Sequence, residues 1–287
     1  MSAELSGKIA VVTGSSRGIG RGTAIALAER GATVYVTGRT TGDGELSIDT
    51  TASMVDEAGG TGIAVETDHG DDGQIAALFE RVRDEQGRID VLVNNVYKIP
   101  NPPAWGGGFW DHPIQVWDDQ VGIGLRAHYV ASWHAAPLLF EGQLNDGAAD
   151  SPRAAIVNVS SPGGQSYHFS SSYGAGKAGL DRLGTDMALE LGPKNVACFT
   201  LYPGSVGTEF IMSFAEQRGT DTSMLQTPLV VGRAAVAGVI APDLMARSGS
   251  IQWVEDLGRE FGLVDEAGNP PPDYARRGEA HGASFTG

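Results

Sequence analysis

The sequence predicts an α/β fold, a doubly wound parallel sheet with helices on both faces, and three observations carry that prediction. Short apolar runs rich in β-branched residues recur along the 287 residues, with helical stretches between them. Most of these runs are continuously apolar rather than alternating, as strands covered on both faces of a parallel sheet are. The first run leads directly into a glycine-rich turn that opens a helical pattern, an arrangement that offers backbone N–H groups to an anion.

The predicted strands are Lys8–Thr13, Ala32–Thr37, Gly62–Thr67, Ile89–Asn94, Ala154–Ser160, Asn195–Leu201 and Ser250–Val254. Between them, helical patterns cover Gly18–Arg30, Asp71–Gln86, Ile114–Phe140, Ser172–Leu191 and Pro228–Ala241. Seven strands alternating with helices give a seven-stranded sheet wound on both sides. Two segments break the rhythm. The stretch at about 97–116 holds several prolines and Gly106-Gly107-Gly108 with Trp105, Phe109 and Trp110, and reads as an inserted substrate loop. The tail at about 257–287 is polar and Pro/Gly-rich and is expected to be irregular, since Pro270-Pro271-Pro272 cannot continue a helix. No repeat or linker divides the chain, so residues 1–287 are expected to form one domain.

Composition narrows the function classes. No apolar run approaches twenty residues, which excludes a membrane-spanning helix, and Ile9–Val12 is too short for a signal peptide. The single cysteine, Cys198, excludes an internal disulfide framework and reads as a small buried hydrophobe. A cytoplasmic location is the expectation. Net charge is −15, with 35 acidic against 20 basic residues and no basic cluster, a surface that repels a phosphate backbone. Nucleic acid is therefore not an expected partner. The sequon Asn158-Val159-Ser160 lies in an apolar strand and is read as incidental. His69 and His168 have no second ligand at metal spacing, and His128 and His134 read as core or interface residues, so no metal site is expected.

In the turn after the first strand, Gly14 permits the tight reversal, while Gly18 and Gly20 let backbone approach a pyrophosphate and the sheet. The end of the second strand discriminates between dinucleotides. An acid there binds a ribose 2′-hydroxyl, but Thr37-Gly38-Arg39 offers none. Arg39, with Arg17 of the turn, suits a 2′-phosphate instead, so NADP(H) is favoured over NAD(H). Further along, Tyr173-Gly-Ala-Gly-Lys177 puts a phenol and an ammonium on one helix face. A phenol titrates near 10, and a cation one turn away is expected to lower that value and make it a usable acid–base group. Ser161, twelve residues upstream, supplies a hydroxyl to hold a substrate oxygen.

With these pieces in order, the chain resembles the short-chain dehydrogenase/reductase family over nearly its whole length, and within it the branch called member one. The resemblance rests on TGSSRGIG (13–20), Asp68, NNVY (94–97), VNVSS (157–161), YGAGK (173–177) and YPGSVGT (202–208). It implies a seven-stranded Rossmann domain with catalysis through Ser161, Tyr173 and Lys177. The implied cofactor set adds Ser16, Ile19, Asp68 and His69 to the residues above, with Asn95 lining the cleft and Tyr173 and Lys177 reaching the cofactor. Pro203, Gly204, Val206 and Thr208 are implied near the nicotinamide carboxamide, with a lid at about 207–227. The implied activity is interconversion of a small-molecule carbonyl and an alcohol by hydride transfer, Tyr173 moving the proton. Tyr97, Trp105, Phe109, Trp110, Tyr167 and Phe169 are expected to line the substrate pocket.

Three departures accompany the resemblance. Tyr97 stands where the family pattern has glycine. Gly124 stands where most members place an asparagine, seven residues beyond Trp117. The serine spacing leaves Ser160 as a competitor of Ser161, and strand alternation lets only one of them face the cleft. The first two motivate an alternative reading, an NADPH-binding sensor or scaffold with weak catalysis. The resemblance also implies a homodimer or homotetramer pairing the helices at Ile114–Phe140 and Ser172–Leu191.

Overall fold

The computed structural model describes residues 4–144 and 152–274. Seven strands form one sheet in the order β3-β2-β1-β4-β5-β6-β7, and every pairing is parallel. They are β1 Ile9–Val12, β2 Thr33–Gly38, β3 Thr61–Glu66, β4 Val91–Asn94, β5 Ala154–Val159, β6 Val196–Tyr202 and β7 Ile251–Trp253. Each falls where an apolar run predicts it. Every residue of β1, β4, β5 and β6 is buried, which is why those runs do not alternate.

The chain runs outward from β1 to β3, then returns to place β4 on the other side of β1. Between β1 and β4 the winding reverses, the switch point at which a doubly wound sheet has its ligand crevice, outside the carboxyl ends of the strands. Helices α1 (Gly18–Ala28) and α8 (Pro228–Ile240) cover one face, packing Ala24, Leu27, Val231 and Ala235 on Val12 and Val34. Their contact is backbone to backbone. A Cβ at Gly22 would stand 2.7 Å from the Leu229 nitrogen, and one at Gly232 would stand 2.6 Å from the Thr23 Cα. The other face carries α3 (Asp72–Gln86), α5 (Ala127–Leu139) and α6 (Ser171–Leu191), with Ile75, Phe79, Leu138 and Met187 against Val11, Leu92 and Ile156. The sequon residue Asn158 is fully buried in β5 and donates to Cys198 Sγ, also buried.

The helix predicted as one piece over Ile114–Phe140 is three. A turn, α4 (Gln115–Trp117), runs into a π-helical stretch, Asp118–Arg126, and then into α5. Gly122 and Gly124 lie in the widened stretch, where the lack of a Cβ weakens the preference for tight α winding.

Helices α2 (Ile48–Glu57), α7 (Glu209–Arg218), α9 (Leu244–Arg247) and α10 (Val254–Phe261) escape the sequence pattern used above. The signal for α2 is present: Ser47 caps Thr50, and Ile48, Thr51, Ala52 and Val55 recur at helical spacing on the buried side. The tail expected to be irregular from residue 257 continues α10 as far as Phe261, since Val254 and Leu257 bury against the core with Phe261 packed beside them. Gly262, at φ 62°, ends that helix. Residues 275–287 of the tail lie outside the described residues. Among the described residues no helix is long and apolar enough to cross a membrane, and no cluster of His, Cys, Asp and Glu is arranged to hold a metal.

Candidate active site

The turn from β1 to α1 closes one end of the crevice. Gly14 and Gly18 adopt φ of 65° and 55°, the left-handed region that favours glycine. At Gly20 a Cβ would overlap the Gly14 carbonyl and lie 2.5 Å from Asn95 Nδ2. Asn95 locks the turn by donating to the carbonyls of Thr13 and Gly14, each at 2.9 Å, so its amide faces the turn. Ser16 is buried, its carbonyl accepting from Arg21, and Ile19 packs on the core. The first free N–H of α1, on Gly18, donates to the Glu209 carboxylate at 2.9 Å. Glu209 comes from the start of α7 and also lies 3.8 Å from Arg21. A carboxylate on that N–H stands in for one oxygen of a phosphate, so the cradle suits an anion at the positive end of the helix dipole.

Beside the carboxyl ends of β2 and β3, Arg17 and Arg39 are both exposed. Arg39 Nη1 lies 3.8 Å from the Asp68 carboxylate, whose other oxygen accepts from Gly70 N at 2.9 Å. No acid stands at the end of β2, where Gly38 packs beside Ser16 and Ile48. His69 is buried. Thr37 donates its hydroxyl proton to the Val12 carbonyl, so the 2.9 Å contact from His69 Nε2 carries the imidazole proton. Burial holds this imidazole neutral, with its pKa down to about 4.

At the other end, Ser161 Oγ and Tyr173 OH are 2.7 Å apart. Strand alternation turns Ser160 the opposite way: it is buried, reaching the Lys177 carbonyl at 3.4 Å and the Asp181 carboxylate. Gly163 gives Tyr173 its room, since a Cβ there would overlap the ring, 2.9 Å from Cδ1. Lys177 is buried below, its ammonium donating to the Val159 carbonyl at 3.1 Å and standing 5.9 Å from the centre of the Tyr173 ring.

The electrostatics depart from the simple expectation of a phenol made acidic by lysine. Burial pushes Tyr173 up to about 12, against the opposing hydrogen bond from Ser161, and the same loss of water brings Lys177 down to about 8. Desolvation outweighs the hydrogen bond from Ser161 at Tyr173, and it outweighs the attraction of Asp181 at Lys177.

Several partners of this cluster carry no local sequence signal. Asp181, one helical turn past Lys177, is held by the Tyr202 hydroxyl and by Ser160. Burial raises its pKa, while these hydrogen bonds and Lys177 oppose the rise. Gln120 is buried in the π-helical stretch and accepts from Ser170 at 3.0 Å and from Ser172. Tyr97 packs edge-on to Tyr173, with ring centres 5.9 Å apart, and its hydroxyl bonds Gln120.

The aromatic set divides. Phe169, at φ 59°, packs on Tyr173 at 5.1 Å and on Trp105 at 5.8 Å, and Trp105 extends the cluster to Phe210 and Phe214 of α7. Phe109 and Trp110 do not join it; they pack on each other, 69% and 71% exposed. Tyr167 is also exposed, its hydroxyl donating to the Phe169 carbonyl at 3.3 Å.

After β6 the chain passes Pro203 to Gly204, whose N–H donates to Gln226 Oε1 at 3.0 Å. Val206 bridges to Gln226, and Thr208 caps α7 with its methyl facing Gly18. The tail returns here: Gln226 donates to the Pro272 carbonyl at 3.3 Å, and Tyr274 packs over Gly204, 3.3 Å from His168 Nε2. The polar, proline-rich sequence gives no sign of this return.

Comparison with known proteins agrees with the geometry. Residues 8–219 match the family model described as short chain dehydrogenase. The chain is 38% identical to mouse dehydrogenase/reductase SDR family member 1, over 98% of this chain and 90% of that one. It is 28% identical to the 7α-hydroxysteroid dehydrogenase of Clostridium sardiniense, over 91% and 92% of the two chains. A crystal structure from Xanthomonas campestris, 26% identical, superposes with a TM-score of 0.77 over 95% of this chain and 98% of that one.

Proposed function

The chain belongs to the short-chain dehydrogenase/reductase family, and from that premise we propose that it is an NADP(H)-dependent oxidoreductase interconverting a carbonyl and a primary or secondary alcohol. The observation that carries the reading is the 2.7 Å contact between Ser161 and Tyr173 above the buried Lys177. Family membership implies a nicotinamide dinucleotide, which supplies or accepts the hydride when bound.

The protein's own groups do the rest. The glycine turn and the N-terminus of α1 hold the phosphates, with Arg17 and Arg39 at the 2′-phosphate. Ser161 donates to the substrate oxygen, a bond that strengthens as negative charge develops there. Tyr173 stands beside the same oxygen, and with its pKa near 12 it carries its proton at neutral pH. These residues are therefore set to protonate the oxygen of a carbonyl undergoing reduction. Lys177, still largely cationic at pH 7, stabilises the phenolate left behind. Trp105, Phe169, Phe210 and Phe214 beside Tyr173 favour a large apolar carbonyl, and the 7α-hydroxysteroid relative makes a ring ketone the first probe.

Trp117, Tyr129 and Trp133, and Leu189 of α6, are large exposed hydrophobics, and they support a homodimer or homotetramer paired through these helices. The test of function is a panel of ketones, aldehydes and steroids with NADPH and with NADH, followed at the reduced nicotinamide absorbance. NADPH oxidation with a ring ketone is expected. Silence across the panel with intact NADPH binding would move the assignment to a sensor or scaffold.

A further inference from the structure

The two positions that depart from the family pattern are in contact with each other. Tyr97 follows β4 and Gly124 lies in the π-helical stretch, and a Cβ on Gly124 would stand 3.0 Å from Tyr97 Cδ2. The ring occupies the room that any side chain at 124 would need. One further contact is made by the Tyr97 hydroxyl, and two more hold its chain neighbours Lys98 and Val96. Gln120 bonds its hydroxyl, the adjacent Lys98 pairs with Asp119 at 2.7 Å, and buried His128 donates to the Val96 carbonyl at 2.8 Å. The face of this ring lies 5.3 Å from Lys177 Nζ.

We propose that Tyr97 is a positioning residue for Lys177, its ring face holding the ammonium in a place where Gly124 supplies no side chain. The proposal rests on the reading of Lys177 as part of the catalytic group. The ammonium is buried, and the Val159 carbonyl at 3.1 Å is the hydrogen-bond acceptor it reaches. Asp181 and Tyr173 face it from its own helix, and His128 from α5, held neutral by burial with its pKa down to about 3. A cation over an aromatic face is stabilised by the ring quadrupole, most strongly where water is excluded. The ring thereby offsets part of the desolvation that brings Lys177 down to about 8.

The test reads the lysine directly and needs no substrate. Protein labelled with ε-¹³C lysine is titrated, the Lys177 resonance being assigned by its loss in Lys177→Arg. Tyr97→Leu, which keeps bulk and removes the π face, is expected to lower the midpoint by about one pH unit. Tyr97→Phe, which keeps the face, is expected to titrate with the wild type. Gly124→Ala displaces the ring less and is expected to shift the midpoint the same way by a smaller amount, which keeps the proposal testable if Tyr97→Leu does not fold. A folded Tyr97→Leu with an unmoved midpoint would overturn the proposal, as would a Tyr97→Phe that shifts as far as leucine. Because the readout is a titration, failure here is distinct from failure of the reductase reading.

Discussion

At the cradle end of the crevice most contacts run between β1, β2, β4 and the turn that joins β1 to α1, with Thr208 and Glu209 at the start of α7 arriving from far along the chain. At the catalytic end Tyr173 and Lys177 take their surroundings from β5, β6, α6, the segments after β4 and before α6, and the tail. The first end is a backbone device, shaped by glycines whose missing side chains leave room for a ligand. The second is a desolvation device, in which packed rings and buried charges set the protonation states. A cofactor shared by a family suits the first design, while a substrate that varies between members suits the second.

Two glycine substitutions separate the devices. Gly20→Ala forces the turn apart and is expected to lower NADPH affinity on the order of a hundredfold, since charge-assisted bonds to phosphate contribute about 1.5–3 kcal/mol each. Calorimetry checks it, and retained affinity would mean that the turn adapts. Gly163→Ala pushes Tyr173 from its seat and is expected to cost roughly ten- to a hundredfold in kcat while leaving NADPH affinity within about twofold. If that variant loses binding as well, the two ends are not independent.

The next effect is a gain. Glu209 places a carboxylate on the N–H of Gly18 that a phosphate would use, so Glu209→Gln is expected to raise NADPH affinity by about three- to tenfold. An unchanged dissociation constant would show that the carboxylate leaves at no cost. A change of cofactor preference is expected at the exposed Arg39. The wild type should favour NADPH over NADH by roughly tenfold, and Arg39→Asp should narrow or invert this through the Michaelis constant for cofactor. Equal affinity of the wild type for both cofactors would remove the assigned role of the two arginines.

The difference between the two ends also explains what was legible in the sequence. The seven strands, the glycine turn and the Tyr173–Lys177 face are local patterns of period, spacing or missing side chain, and all three can be read from the chain. The opposite orientations of Ser160 and Ser161 depend on which face of β5 meets α6, which spacing left open. Asp181, Tyr202 and Tyr274 reach the site through contacts spanning 21 residues or more, and no periodicity encodes these. The division of the aromatic set was not legible either, because aromatic content in a loop does not say which rings pack on Tyr173 and which, like Phe109 and Trp110, pack on each other in solvent. The elevated Tyr173 follows from burial that only the assembled rings create.

The central claim is that the Tyr173 hydroxyl carries the proton in a reaction run on NADP(H). The most direct measurement compares wild type and Tyr173→Phe for NADPH affinity by fluorescence and for ketone-dependent NADPH oxidation by absorbance, on the same preparations. The expected result is an affinity within about twofold and a turnover lower by roughly a thousandfold, within the 10²–10⁴ typical of general acid–base groups. Turnover in Tyr173→Phe within about tenfold of the wild type would contradict the assignment.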